Sequence, residues 1–253
     1  MVTDLQKASF GKRIIAAIFD GILLSILAVG LAAVLALATG YNGYIEEISN
    51  ISTKYEKKYN IEFQISEEEY NTLTETEQET WQTANKEFGK DQDAQKCYGM
   101  IINLSMLILS ISVLLSVIVI EFIVPIMFGN GQTLGKKIFG IGVMHVDGIK
   151  ISNVQLFARS VLGKFAIELM IPLSIVLMVL LNSIGIVSIG ILFVILVIEV
   201  ISLISTRTNA LIHDLLAGTV TVDITSQRIF ENSEQLLEYK KKIEAERAAR
   251  ADY

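Results

Sequence analysis

Apolar runs long enough to cross a membrane dominate the pattern of the chain. From Arg13 to Ala38 it reads RIIAAIFDGILLSILAVGLAAVLALA, with Asp20 the one charge after Arg13. About 25 residues rising 1.5 Å each span a bilayer, so this is a first transmembrane helix. A second span runs over 99–128 and contains Glu121 and Pro125. Apolar residues then continue from Phe165 to Ser205. As one helix that run would be about 60 Å long, twice the hydrocarbon thickness. It must fold back, and Asn182-Ser183-Ile184-Gly185 is the expected turn between spans at 165–181 and 184–205. The expected fold is an all-α membrane protein built on a four-helix transmembrane bundle.

The polar stretches divide into segments. Residues 39–98 form an insert with capping-box patterns at Ser66-x-x-Glu69 and Thr74-x-x-Glu77. Two or three short helices are expected there, packed through Tyr70, Leu73, Trp81 and Phe88. In 129–164, Leu134, Ile138 and Ile141 give an amphipathic stripe with Lys136 and Lys137 placed for anionic headgroups. VMHVDGIKIS reads as a small β-hairpin turning at Asp147-Gly148, and Asn153 to Lys164 as a helix. Residues 206–225 carry LIHDLLAGT and a short strand, VTVDI, expected to pair with VMHV. The tail 226–253 is charged, and Ile229, Leu236 and Ile243 recur in it every seven residues.

Composition agrees with this reading: 52% of the 253 residues are hydrophobic and 19% charged. Charge then sets the orientation. Lys7, Lys12, Arg13, Lys136, Lys137, Lys150, Arg159, Lys164 and Arg207 fall on one side of a four-span bundle, whereas the insert has 13 acids against 6 lysines. By the positive-inside rule both termini are cytoplasmic and residues 39–98 lie outside. The first apolar run lacks a cleavage site and reads as an anchor rather than a removable signal. A lone cysteine, Cys97, makes no internal disulfide.

Each span carries one acid: Asp20, Glu121, Glu168 and Glu199. On the topology above all four lie in the inner half of the membrane, within about 10 Å of the cytoplasmic ends. Intramembrane acids face the interior and mark ion or proton paths, so a cytoplasm-facing polar chamber is expected. Pro125 follows Glu121 by four and Pro172 follows Glu168 by four. Each proline removes the donor to the glutamate's backbone carbonyl, which would leave oxygen ligands suited to a monovalent cation or proton. The same acids also suit pairing with Arg13, Arg159, Lys164 and Arg207, which would lock the bundle. His213-Asp214 at the inner surface reads as a pH-responsive pair, or as a structural one in which Asp214 bridges to Arg207 or Arg159.

Several of these stretches resemble the RDD family of bacterial membrane proteins. Arg13 and Asp20 in KRIIAAIFDGILL match the family's arginine and first aspartate. GQTLGKKIFGIGVMHVDG, ARSVLGK and LIHDLLAGTVTV resemble its later segments in order, with Asp214 as second aspartate. The resemblance covers about 9–38 and 100–225, outside the insert and tail. It implies the bacterial cytoplasmic membrane and a transport role, with cation/proton antiport proposed for some members.

Enzyme readings find little footing. GNGQTLGKK has Asn130 and Lys137 where a phosphate loop needs glycine and Ser or Thr. Two histidines and one cysteine make no metal-ligand cluster, and no nucleophile triad is legible. The basic residues flank membrane spans rather than forming a nucleic-acid surface. The expected function is cation- or proton-coupled transport, or binding of the same ions, by the carboxylate layer. It needs no cofactor and has the bilayer and a homo-oligomer or membrane partner as company. The alternative is a non-catalytic subunit that binds partners through insert and tail. The outer halves of the spans favour this alternative, since Asn103, Ser105 and Ser174 are their main polar residues and no relay crosses the bilayer.

Overall fold

The computed structural model describes residues 6–173, 186–206 and 208–251. The expected turn at Asn182–Gly185 and Arg207 lie outside them. Two compact units are present: Met1–Ala28 with Val113–Tyr253, and Val29–Ser112.

Helix α1 runs Phe10–Ala38, 29 residues and roughly 43 Å. Ile14, Ile18, Ile22 and Ile26 are exposed along it, and an apolar face without protein cover is what lipid would meet. Its buried positions near the start are Ala16 and Asp20, one turn apart. A second apolar helix extends from Gln92 to Phe128, 37 residues. It comprises α5 (Gln92–Val117), a π-helix at Ile118–Ile123 and α6 (Val124–Phe128). These two helices are long and apolar enough to cross a membrane. Ile186–Ser205 forms a further apolar helix.

In the Val29–Ser112 unit, α2 (Tyr41–Tyr59) ends on Asn60 in the left-handed conformation. Helices α3 (Glu67–Thr72) and α4 (Glu75–Phe88) both open on complete capping boxes, Ser66 with Glu69 and Thr74 with Glu77. An aromatic cluster holds them: Tyr70 to Trp81 at 5.3 Å, Phe63 to Phe88 at 5.2 Å and Tyr55 to Phe88 at 5.7 Å between ring centroids. The Trp81 indole N–H donates to the Glu62 carbonyl at 3.1 Å. Phe63, absent from the expected packing set, is central to this cluster.

The other unit departs from expectation in three places. Lys136 turns inward: α7 is only Leu134–Ile138, Lys136 is buried, and Ile141 belongs to a strand with no exposure. The expected amphipathic stripe therefore does not exist as one helical face, because the helix stops before Ile141. Lys137 instead covers the Phe128 ring at 3.7 Å. The hairpin is reduced to a turn with one bridge, Met144 to Lys150, although Gly148 does take the positive φ that the turn demands. The other expected pairing is present: β1 (Ile141–His145) pairs with β2 (Thr219–Asp223), antiparallel, with Ile141 opposite Asp223 and His145 opposite Thr219. Met144, Val220 and Val222 are buried against Ile229. Ile229 thus belongs to this core and not to the tail helix, which begins at Ser233, so the seven-residue repeat does not fall on one helix.

Replacing Thr74 by Ala removes the oxygen that caps Glu77 N–H. We expect the unit around Trp81 to lose about 1 kcal/mol of stability, read by the fluorescence of this sole tryptophan during thermal unfolding of the full chain.

Candidate functional site

The site is assembled where α1, α7, the Ala158–Met170 π-helix and the short helix Ile212–Ala217 meet. Apolar packing delivers the elements, and buried charge decides their register. Asp20 is 4% exposed. Its carboxylate accepts from the Thr133 hydroxyl and from the backbone N–H of Gly135 at 2.8 Å. Thr133 also caps α7 by accepting from Lys136 N–H. Gly135 is required for this approach, because a Cβ there would sit 2.5 Å from the Ala16 carbonyl oxygen and 3.0 Å from the Asp20 carboxylate.

Arg13 does not meet Asp20. It donates to the Asn209 carbonyl at 2.7 Å and to Asp214 at 3.4 Å. Arg159 donates to Asp214 from the other side and to the Thr219 hydroxyl at 3.0 Å. The two arginines therefore share one buried aspartate. Arg207, the other partner considered for Asp214, lies outside the described residues.

Glu121 is buried on the Ile118–Ile123 π-helix and accepts from Lys164 at 2.5 Å and Lys136 at 3.4 Å. Glu168 accepts the backbone N–H of His213 at 3.0 Å and faces its Nδ1 at 2.7 and 2.9 Å. The Arg159 guanidinium reaches His213 Nε2 at 3.0 Å. Arginine has only donors, so Nε2 must accept and Nδ1 carries the proton it gives to Glu168. Burial, reinforced by Arg159, Lys164, Lys136 and Arg13, holds the His213 pKa well below the usual imidazole value. A neutral ring with its proton on Nδ1 satisfies both neighbours.

Glu199 completes the set. Both its carboxylate oxygens are buried and find no hydrogen-bond partner among the described residues, and Glu168 is a near neighbour. The four expected acids thus separate into three environments: Asp20 with Thr133 and Gly135, Glu121 with two lysines, and Glu168 with Glu199 and His213.

The π-helices explain how these side chains converge. Arg159 and Glu168 are nine residues apart yet both meet His213. At about 100° per residue an α-helix would put them on opposite faces. A π-helix bonds five residues back and has a wider turn of roughly 4.4 residues. Two such turns bring Arg159 and Glu168 onto one face, with Lys164 near it. Gly163 lets the His213 helix approach, since a Cβ there would lie 2.5 Å from His213 Cβ. In the earlier π-helix, Val124 N–H bonds to Val119 O, five residues back. Pro125 follows within the first turn of α6, where a missing N–H is tolerated. This altered frame means that a spacing of four from Glu121 to Pro125 does not identify a carbonyl without a donor. Sequence reasoning missed both π-helices and the part of Lys136. The spacing of Arg159, Lys164 and Glu168 was the available signal.

Asp214→Asn leaves two buried guanidinium groups without their carboxylate. Expected destabilisation is about 3–5 kcal/mol, against less than ~1 kcal/mol for Lys150→Gln, which breaks the exposed pair with Glu231. Unfolding in detergent compares them, and equal costs would mean that the buried pairing does not hold the site. NMR of ring-labelled histidine should show His213 neutral, Nδ1-protonated and without titration between about pH 5.5 and 8.

The RDD family model matches residues 7–218. No curated protein and no solved structure matches the chain. With its two long apolar helices, the arginine and two aspartates in one buried cluster, and a family match over most of its length, the chain belongs to the RDD family of membrane proteins.

Proposed function

We propose that this protein is a four-span inner-membrane protein, with both termini cytoplasmic and residues 39–98 outside, that binds and moves protons at Glu168 and Glu199, with His213 holding Glu168 in place. The buried Glu199 carboxylate carries this reading, because among the described residues it has no hydrogen-bond donor and it lies beside a second carboxylate. Carboxylates offer only acceptors when ionised. Two side by side are held together by a shared proton or a bound cation.

Charge balance calls for one added positive charge, which a proton supplies. Among the described residues the cluster contains Arg13, Lys136, Arg159 and Lys164 against Asp20, Glu121, Glu168, Glu199 and Asp214. One proton on the Glu168–Glu199 pair makes it neutral. Asp20, Glu121 and Asp214 already have donors, so a metal cation would have to displace an ammonium or guanidinium to reach them. His213 connects the pair to Arg159 and Asp214, so a change of proton occupancy at Glu168 acts directly on the family's arginine–aspartate centre.

A second reading, partner binding through the insert, is supported by Ile45 and Tyr98, exposed beside a groove that also includes Ile48 and Phe88. Deleting residues 45–95 separates the two, because a partner module loses its complex whereas the proton site keeps its response.

The test is flux in vesicles containing the full chain. With a Na⁺ or K⁺ gradient imposed, internal pH is followed for wild type, Glu199→Gln and Asp20→Asn. Proton movement in wild type should fall at least tenfold in Glu199→Gln. Well-folded wild type without flux, or an unaffected Glu199→Gln, would refute the proton reading.

A further inference from the structure

A cavity of about 160 Å³ opens inside the charged cluster. That is several times the ~30 Å³ that a water molecule occupies in the liquid. Arg13, Lys136, Arg159 and Lys164 all line it, and Asp20 is the one acid that does so among the described residues. The carboxylates that pair with these cations, Glu121 and Asp214, are not part of the lining. The carboxylates therefore stand behind the basic groups, and the cavity itself is faced by positive charge. Asp20 offers little compensation, since its carboxylate is already committed to Thr133 and Gly135.

The basic groups retain hydrogen-bonding capacity. An ammonium has three N–H donors and a guanidinium five. Lys136 and Lys164 each hydrogen-bond to Glu121, and Arg13 to the Asn209 carbonyl and Asp214. The Lys136 ammonium is held down to a pKa of about 8, chiefly by burial, with Lys164 and Arg159 adding to the effect and Glu121 opposing it. A group in that state gains from further negative charge. The rest of the wall is mostly apolar, with Phe10, Ile14, Leu203 and Leu211, and includes His213 and Thr221. Several converging donors of this kind match tetrahedral oxyanions, for which arginine and lysine are the usual partners. A metal cation entering the same space would face four like charges against the single carboxylate of Asp20.

We infer that this cavity binds a phosphate group, brought either by free phosphate or by the headgroup of an anionic phospholipid whose chains follow the apolar wall. The site does not depend on proton movement at Glu168 and Glu199.

Thermal unfolding of the purified full chain is measured against inorganic phosphate at ionic strength matched with chloride. In parallel, native mass spectrometry follows release from nanodiscs of phosphatidylcholine with and without phosphatidylglycerol. A saturable rise in melting temperature with inorganic phosphate identifies the free anion. Retained phosphatidylglycerol without that rise identifies the headgroup. Glu121→Gln combined with Lys164→Gln removes one ammonium together with its own carboxylate, and should weaken whichever is bound by about tenfold. Lys150→Gln, outside the cavity, should leave binding unchanged. Should the double variant fail to fold, acylation of wild-type lysines gives the answer. Phosphate, or phosphatidylglycerol discs compared with phosphatidylcholine discs, should protect Lys136 and Lys164 severalfold and leave Lys150 unprotected. Absence of saturable binding from both sources, unchanged binding in a folded double variant, or equal labelling of the three lysines would overturn the site.

Discussion

Asp214 sits at 1% exposure between Arg13 of α1 and Arg159 of the Ala158–Met170 π-helix. Three charges withdrawn from water are costly unless each finds a partner. Meeting that condition ties the first helix, the π-helix and the Ile212–Ala217 helix to one point. Thr219 extends the tie to the sheet, since its hydroxyl accepts from Arg159 and donates to Asp214. Asn209 contributes its carbonyl to Arg13 from a left-handed backbone conformation. The value of Asp214 is therefore positional. It fixes which faces of the surrounding elements meet, while apolar burial supplies most of the energy that brings them together.

Two other close approaches depend on that arrangement. Gly135 meets the Ala16–Asp20 turn of α1, and Gly163 meets His213, each at a distance that a Cβ would not allow. Backbone N–H groups thereby reach carboxylates directly, Gly135 to Asp20 and His213 to Glu168. Such bonds come from fixed backbone dipoles and need little side-chain ordering. They leave Lys136 and Lys164 to neutralise Glu121 and line the cavity. The result is a site in which two carboxylates are held by backbone amides and the cavity is lined by the longer basic chains.

The π-helices belong to the same design. A wide turn is uncommon because its hydrogen bonds are less favourable than those of an α-helix, and it recurs at functional positions. Here it places Arg159 and Glu168 on either side of one histidine ring. Glu168 in turn lies near Glu199, whose carboxylate has no donor among the described residues. Proton occupancy at this end and anion occupancy in the cavity would act on one shared set of charges.

Much was legible in the sequence because it is local. Arg13–Ala38 reads as a spanning helix from its apolar length alone, and Ser66 and Thr74 announce their helices through glutamates three residues later. The pairing of VTVDI with VMHV also followed from two short β-branched runs. The motif residues Arg13, Asp20, His213 and Asp214 stood out as charges beside or within apolar runs. Apart from Arg159, one of two candidates for Asp214, their partners could not be read, because a charge in an apolar run needs a counter-charge without specifying which. Asp20 found a hydroxyl and a backbone amide, and Arg13 found an aspartate 201 residues away. The π-register of Arg159, Lys164 and Glu168 was not legible either, because α-helical periodicity would separate the outer two. Sequence determined which segments are apolar and which charges must be buried with them. Tertiary structure decided how those charges pair, because burial removes water as the default partner and leaves only the groups that packing brings within reach.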